Sequence, residues 1–311
     1  MTTEHAIIDR LRRIATDPAA RGLLDDVAVL GDLVLTHDSI AEGVHFLPDD
    51  PPASVGWKLV AVNLSDLAAK GAEPVAALLS LTLTGGEEWT DAFLSGVAEA
   101  CDRYDLPLVG GDTIALPSGA PRVLGLTAIG RIAGRAPSRT GGRPGDRLWV
   151  VGTLGDSAAG LAQLRIDHDA AGLLVDIYRR PVPLLDDGRT LAPHVTAMMD
   201  ISDGLLIDLK RLCQASGCGA AIDLDSLPLS AAFKAYAGTD RSARLFAATG
   251  GDDYALLAAL PPAFDPLSLS LPSGATLACI GALASGGTLS LSDAGGAIPL
   301  PEHLGHEHRT S

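Results

Sequence analysis

The stretch "AMMDISDGLLIDL", residues 197–209, sets a strand-like apolar run against a helix-like one, with Asp200, Ser202 and Asp203 at the joint. Strand, short turn, helix is the repeating unit of an α/β architecture. The same order recurs in "RLWVVGTLGDSAAGLAQL" (147–164), and "ATGGDDYALLAAL" (248–260) adds a strand after a Gly-rich turn. Further on, "PSGATLACIGALASGGTLSLSDAGGAIPL" (272–300) reads as short β segments, and "EHLGHEHRTS" (302–311) as a mobile tail.

Upstream, "VAVL", "LVLT", "AALLSLTLT" and "VLGLTAIG" read as strands. Between them, "SVGWKLVAVNLSDLAAKGA" (54–72) spaces Trp57, Val60, Ala61, Leu64, Leu67 and Ala68 as one apolar helical face, and "EEWTDAFLSGVAEACDRY" (87–104) is a second helix. The stretch "GRIAGRAPSRTGGRPGD" (130–146) has no periodicity and reads as a linker. A chain of 311 residues with 47% hydrophobic content suits two domains, expected at 1–134 and 135–311. No internal repeat of fixed period is evident.

Acidic residues outnumber basic ones 38 to 23 and no Lys/Arg-rich run interrupts them, which argues against nucleic-acid binding. No uncharged apolar run approaches the roughly 20 residues of a membrane crossing. Cys101, Cys213, Cys218 and Cys279 form no C-x-x-C pair, so free thiols in a reducing compartment are expected, and with them a cytoplasmic location.

The acidic joint has company. "LLDDVAVL", "LTHDSI", "NLSDLAAKGA", "VGGDTI", "TLGDSAAG" and "TGGDDY" also place Asp at the end of an apolar segment, usually beside Gly or Ser. Helix capping and Asp-Gly turns explain any one of them. Seven in one chain point further, because carboxylates gathered in a cleft repel each other unless cations neutralise them. Mg²⁺ prefers such oxygens and bridges them to substrate phosphates. With four lysines and no G-x-x-x-x-G-K-[ST], a Walker-type nucleotide site is excluded. "VGTLGDSAAG", Arg139 and Arg143 are candidate phosphate contacts. The residues alone reach a Mg²⁺-dependent enzyme acting on phosphates.

The order of these motifs resembles the thiamine-monophosphate kinase family, in the superfamily that includes aminoimidazole ribonucleotide synthetase and selenophosphate synthetase. The resemblance runs from residue 25 to about 257 through "DDVAVL", "THDSIAEGVHF", "GWKLVAVNLSDLAAKGAEP", "LVGGDT", "GRAPSRTGGRPGD", "VGTLGDSAAGL", "DISDGLLIDL", "GCGAAIDLDSLP" and "GGDDYALL". It implies a two-domain α/β fold of the α+β type, with an N-terminal sheet pairing across a homodimer and ATP in a cleft against the C-terminal domain. It implies transfer of the ATP γ-phosphoryl group to thiamine monophosphate, giving thiamine diphosphate. Matching positions make Asp26, Thr36, Asp38, Asp66, Asp112, Asp200 and Asp203 metal ligands; Gly111, Asp112, Arg139 and Ser202 nucleotide contacts; and His45, Asp252 and His306 acceptor contacts. No general base is expected, since a phosphomonoester is already largely ionised near neutral pH, its second pKa being about 6.

The chain departs from the family pattern at Leu24, where glycine is usual; at His37, for threonine; at Asp252, for Glu; and at His306, for an aromatic residue. The rival readings are another ATP-dependent enzyme of the superfamily, aminoimidazole ribonucleotide synthetase-like or selenophosphate synthetase-like, and a catalytically silent nucleotide-binding protein. Against the former stand "EGVHF" and "SDLAAKGA"; against the latter stands the complete set of metal-position aspartates.

Overall fold

The computed structural model describes residues 4–307. Its first half runs α1 (Glu4–Leu11), β1 (Ala28–Leu30), β2 (Leu33–Ala41), α2 (Pro52–Ala69), β3 (Glu73–Leu83), α3 (Glu87–Arg103), β4 (Leu108–Ala115) and β5 (Val123–Arg131). An irregular stretch then leads into β6 (Arg147–Val151), α4 (Asp156–Ile166), α5 (Leu173–Arg179), α6 (Leu185–Leu191), β7 (Ala197–Ile201) and α7 (Leu205–Ser216). The rest is β8 (Gly219–Asp223), α8 (Ala231–Ala237), α9 (Arg241–Thr249), β9 (Ala255–Leu260), β10 (Leu277–Ala284), β11 (Leu289–Asp293) and β12 (Gly296–Ile298).

Two open sheets result, ordered β1-β2-β5-β3-β4 and β12-β11-β8-β10-β6-β9-β7. Among the strands of the described residues, β3/β4 and β8/β11 pair in parallel and the other neighbours are antiparallel. The fold is thus α+β in type, although strand–turn–helix order governs its local sequence.

Helix α2 is the element the pattern under-read. Instead of one apolar face it is buried on every side from Val55 to Ala69, because it lies between the two sheets with α3 and α6 packed against its flanks. One side carries Leu67 into the core of the first sheet, against Gly130 of β5. The other meets Val151, Met198, Leu256 and Ala258 of the second, so one apolar cluster spans both halves. A separate core, including Leu148, Val150, Leu206, Leu257 and Ile280, fills the far side of the second sheet. Strand alternation divides β7 between them: Met198 faces α2, while Ala197, Met199 and Ile201 face away.

Two of the acidic "turns" are strand interiors. Asp38 lies within β2 and Asp112 within β4, while Asp66 lies within α2. Gly111 is what lets β4 run beside β3, since an added Cβ would stand 1.9 Å from the Leu79 carbonyl oxygen. Leu24 is accommodated without strain at φ −103°, so glycine is not needed there. The tail is docked where it is described: the His306 N–H donates to the Asp203 carbonyl at 2.9 Å. Residues 308–311 of the expected mobile tail lie outside the described residues.

Candidate active site

Lys58, Val62, Asp66 and Lys70 recur every four residues along α2 and so form one row on its surface facing the second sheet. Period two does the corresponding work in the strands. On β2, Thr36 and Asp38 share a face with the buried Val34 and Ile40; on β7, Asp200 shares one with Met198. These three elements, with Asp26 ahead of β1 and Arg139 from the linker, enclose a cavity of about 300 Å³.

Asp26, Asp66 and Asp200 converge there, with carboxylate oxygens within 4.8 Å of one another. Thr36 Oγ1 donates to Asp66 Oδ2, and Ser65 Oγ to Asp200 Oδ2 at 2.7 Å. Arg139 donates to Asp26 Oδ1, and Lys70 Nζ stands 3.6 Å from Asp26 Oδ2. That Oδ2 is buried without a hydrogen-bond partner among the described residues. Asp38, Ser202, Asp203, Asp252, Tyr254, His45 and Arg211 complete the wall.

Burial and the crowding of like charges raise the proton affinity of Asp38, Asp66 and Asp200. Burial, then Asp26, push Asp200 up to about 7 against the opposing Ser65 hydrogen bond. Burial, with Asp38, Asp200 and Asp26, holds Asp66 well above the carboxylate range. The enclosing walls, with Asp26 and Asp203, push Asp38 up to about 6. Asp25 shows the contrast. Burial pushes it up too, yet Lys70 at 2.6 Å and Arg21 at 2.6 Å hold it below its ordinary value. Asp25 is thus a paired structural carboxylate, whereas Asp66 and Asp200 are short of positive charge.

The turn at 202–204 separates capping from site chemistry. Its cap is Asp208, in the first turn of α7, whose Oδ2 accepts from the Ser202 and Asp203 N–H groups at 3.1 and 3.0 Å. Arg211 then ties Asp208 and Asp203 together at 2.7 and 2.5 Å. Asp200 is left to face the cavity.

The expected residues divide as follows. Asp26, Asp38, Asp66, Asp200, Asp203, Arg139, Ser202, His45 and Asp252 line one cavity, with Thr36 behind Asp66. His37 points to the opposite sheet face, with Nδ1 2.9 Å from Thr127 Oγ1. His306 meets Asp203 through its backbone, and its side chain is exposed. Gly111 and Asp112 are not in the cavity. Asp112 is in register with Ser80, Gly125 and Ser39 across the sheet, which places it three strand spacings, roughly 14 Å, from β2. Sequence reasoning missed Lys58, Ser65, Lys70, Asp208 and Arg211. A signal was present for the lysines: two of four sit inside the apolar run of α2, and buried lysines require partners.

Comparison with known proteins bears on the family of the chain. Residues 24–132 match "AIR synthase related protein, N-terminal domain", and residues 143–263 match "AIR synthase related protein, C-terminal domain". Thiamine-monophosphate kinase of Salmonella typhimurium is 40% identical over 265 residues, covering 81% of this chain and 80% of the relative. The chain belongs to the thiamine-monophosphate kinase family. The crystal structure of thiamine monophosphate kinase from Aquifex aeolicus superposes with a TM-score of 0.82 at 31% identity, covering 96% and 98% of the two chains. A structure described as "AaThiL complexed with AMPPCP and TMP" reaches 0.85 at 32% identity, covering 99% and 97%. The thiamine-monophosphate kinase fold therefore extends over nearly the whole chain, beyond the motif-bearing part.

Proposed function

We propose that the chain phosphorylates thiamine monophosphate to thiamine diphosphate with ATP, in the cavity between α2, β2 and β7, and that Mg²⁺ assists. The observation that carries this reading is the convergence of Asp26, Asp66 and Asp200, with an unpartnered Asp26 oxygen, in a chain related to a protein solved with AMPPCP and TMP. Six aspartates and two arginines line the cavity, and such a wall repels a triphosphate unless cations intervene. The donor set is all oxygen and suits Mg²⁺.

Asp26, Asp66 and Asp200 would hold the metal, with Asp38 and Asp203 beside them and Thr36 orienting Asp66. Bound Mg²⁺ supplies charge neutralisation of the triphosphate and of the transferred group. Arg139 and Ser202 contact the nucleotide; His45 and Asp252 orient the acceptor. An acceptor phosphate oxygen attacks the γ-phosphorus, the bond from that phosphorus to the β,γ-bridging oxygen breaks, and ADP leaves. The nucleophile is already anionic, so the protein's task is alignment.

We further infer a homodimer. All of β4 is exposed, including Leu108, Val109 and Ile114, and it lies at a sheet edge, a disposition that invites pairing. Gly111 and Asp112 would then serve the partner's site, and His306, from the docked tail, would approach the acceptor only after a rearrangement. The domain division is taken at 134/135. Among the described residues no helix is long and apolar enough to cross a membrane, and the four cysteines are free thiols, which fits a cytoplasmic location. Incubation with ATP, Mg²⁺ and thiamine monophosphate should yield thiamine diphosphate by chromatography; absence of product at millimolar Mg²⁺ overturns the reading.

A further inference from the structure

Lys58 sits in the second turn of α2 with 2% of its surface exposed. Its ammonium donates to the His45 carbonyl at 2.9 Å and to Asp252 Oδ2 at 2.7 Å, and it lies 4.1 Å from the centroid of the Tyr178 ring. Three donors thus meet a carbonyl, a carboxylate and an aromatic face, a set that satisfies a buried ammonium. His45 and Lys58 belong to the first half of the chain and Asp252 and Tyr178 to the second.

Two of the three residues that Lys58 touches, His45 and Asp252, line the cavity. The Asp252 carboxylate is held from its other oxygen by Tyr254 OH at 3.0 Å. Its backbone, at φ +67°, occupies the left-handed region, and its N–H donates to the Ser202 carbonyl at 2.7 Å. Such a conformation persists where surrounding contacts over-determine it. His45 Nδ1 accepts from the Ala41 N–H at 3.0 Å, which leaves the proton of the neutral ring on Nε2. The far end of the same loop is tied across the halves as well, since Asp50 accepts from the Leu47 N–H and from Arg179 Nε, both at 2.8 Å.

We propose that Lys58 is the positioning residue of the acceptor end of the cavity, fixing the Asp252 carboxylate and the His45 loop in one relation across the two halves. The proposal rests on the acceptor reading given above. The ammonium also offsets the Asp252 charge, so this carboxylate takes a neutral N–H or O–H donor of the acceptor without adding repulsion toward its phosphate. A lysine that merely neutralised a buried carboxylate would affect folding and leave substrate affinities alone.

The test compares wild type, Lys58→Met, Asp252→Asn and the double variant, measuring KM for thiamine monophosphate and ATP separately and the melting temperature. Lys58→Met should raise the acceptor KM by about tenfold or more, with the ATP KM within about twofold. The double variant should resemble Lys58→Met, because the two side chains act as one unit. Lys58→Arg, which keeps the charge but replaces a point donor by a planar fork, should also raise the acceptor KM, and it carries the test if Lys58→Met fails to fold. A folded Lys58→Met or Lys58→Arg whose acceptor KM stays within about twofold of wild type overturns the proposal. If wild type itself makes no thiamine diphosphate, the functional reading fails instead.

Discussion

Ser65 Oγ donates to Asp200 Oδ2 at 2.7 Å, across 135 residues of sequence and between the central helix and the edge strand of the second sheet. It is the hydrogen bond that opposes the upward push of burial on Asp200. Ser65→Ala should leave the fold intact, cost about 1 kcal/mol, and make the site bind protons more tightly at the expense of metal. The expected result is a several-fold rise in the Mg²⁺ concentration for half-maximal activity, largest near neutral pH. An unchanged Mg²⁺ dependence would separate this bond from the metal site.

Asp200→Asn and Asp203→Asn should part company in stability while agreeing in activity. Removing the Asp200 charge relieves burial and like-charge repulsion, so the metal-free protein should melt higher. Removing the Asp203 charge weakens an ion pair with Arg211 and should lower melting slightly. Both should lose about 10²-fold or more in turnover, the scale of one preorganised electrostatic contact. Thermal melts in EDTA beside steady-state rates decide it, and full activity in either variant removes that residue from the site.

The pH dependence of stability has a definite sign. Burial raises Asp200 to about 7 and Asp38 and Asp208 to about 6, above their unfolded values. In that window the native state holds protons the unfolded chain has released, so stability falls as pH rises. Metal-free protein should therefore melt higher at about pH 5 than at about pH 8, and saturating Mg²⁺ should flatten the slope by replacing those protons. A melting temperature that climbs over this range without metal would contradict the assignment.

Asp112 supplies a test of the site across subunits. Asp112→Ala and Asp200→Asn should each be nearly inactive alone. Co-refolded in equal amounts they should recover about a quarter of wild-type activity, since half the dimers are mixed and each mixed dimer restores one of two sites. No recovery would place Asp112 outside the partner's site. A monodisperse monomer in light scattering at micromolar concentration would remove the premise.

Much of this was legible from local pattern. Period two and period 3.6 disclosed most strands and the long helices, and the Asp-rich motifs named most of the cavity wall. What escaped depends on tertiary placement. That Asp208 caps the 202–204 turn, freeing Asp200, follows from where α7 begins, and "DISDG" reads the same either way. Likewise "LVGGDT" looks like a turn until Gly111 is seen passing the Leu79 carbonyl. The second face of α2 escaped because Lys58, Ser65 and Lys70 look like the polar side of an amphipathic helix when no second sheet is in view.

A helix enclosed on every side gives the two halves a common interior, and this limits how they move. Parting the sheets to admit substrate would wet Val151, Met198, Leu256 and Ala258 against α2, at about 25 cal/mol for each Å² of apolar surface uncovered. Substrate should accordingly enter the cavity with the two sheets closed on α2. The same coupling should make melting a single cooperative event, so that a weakened joint anywhere along α2 registers in both halves at once.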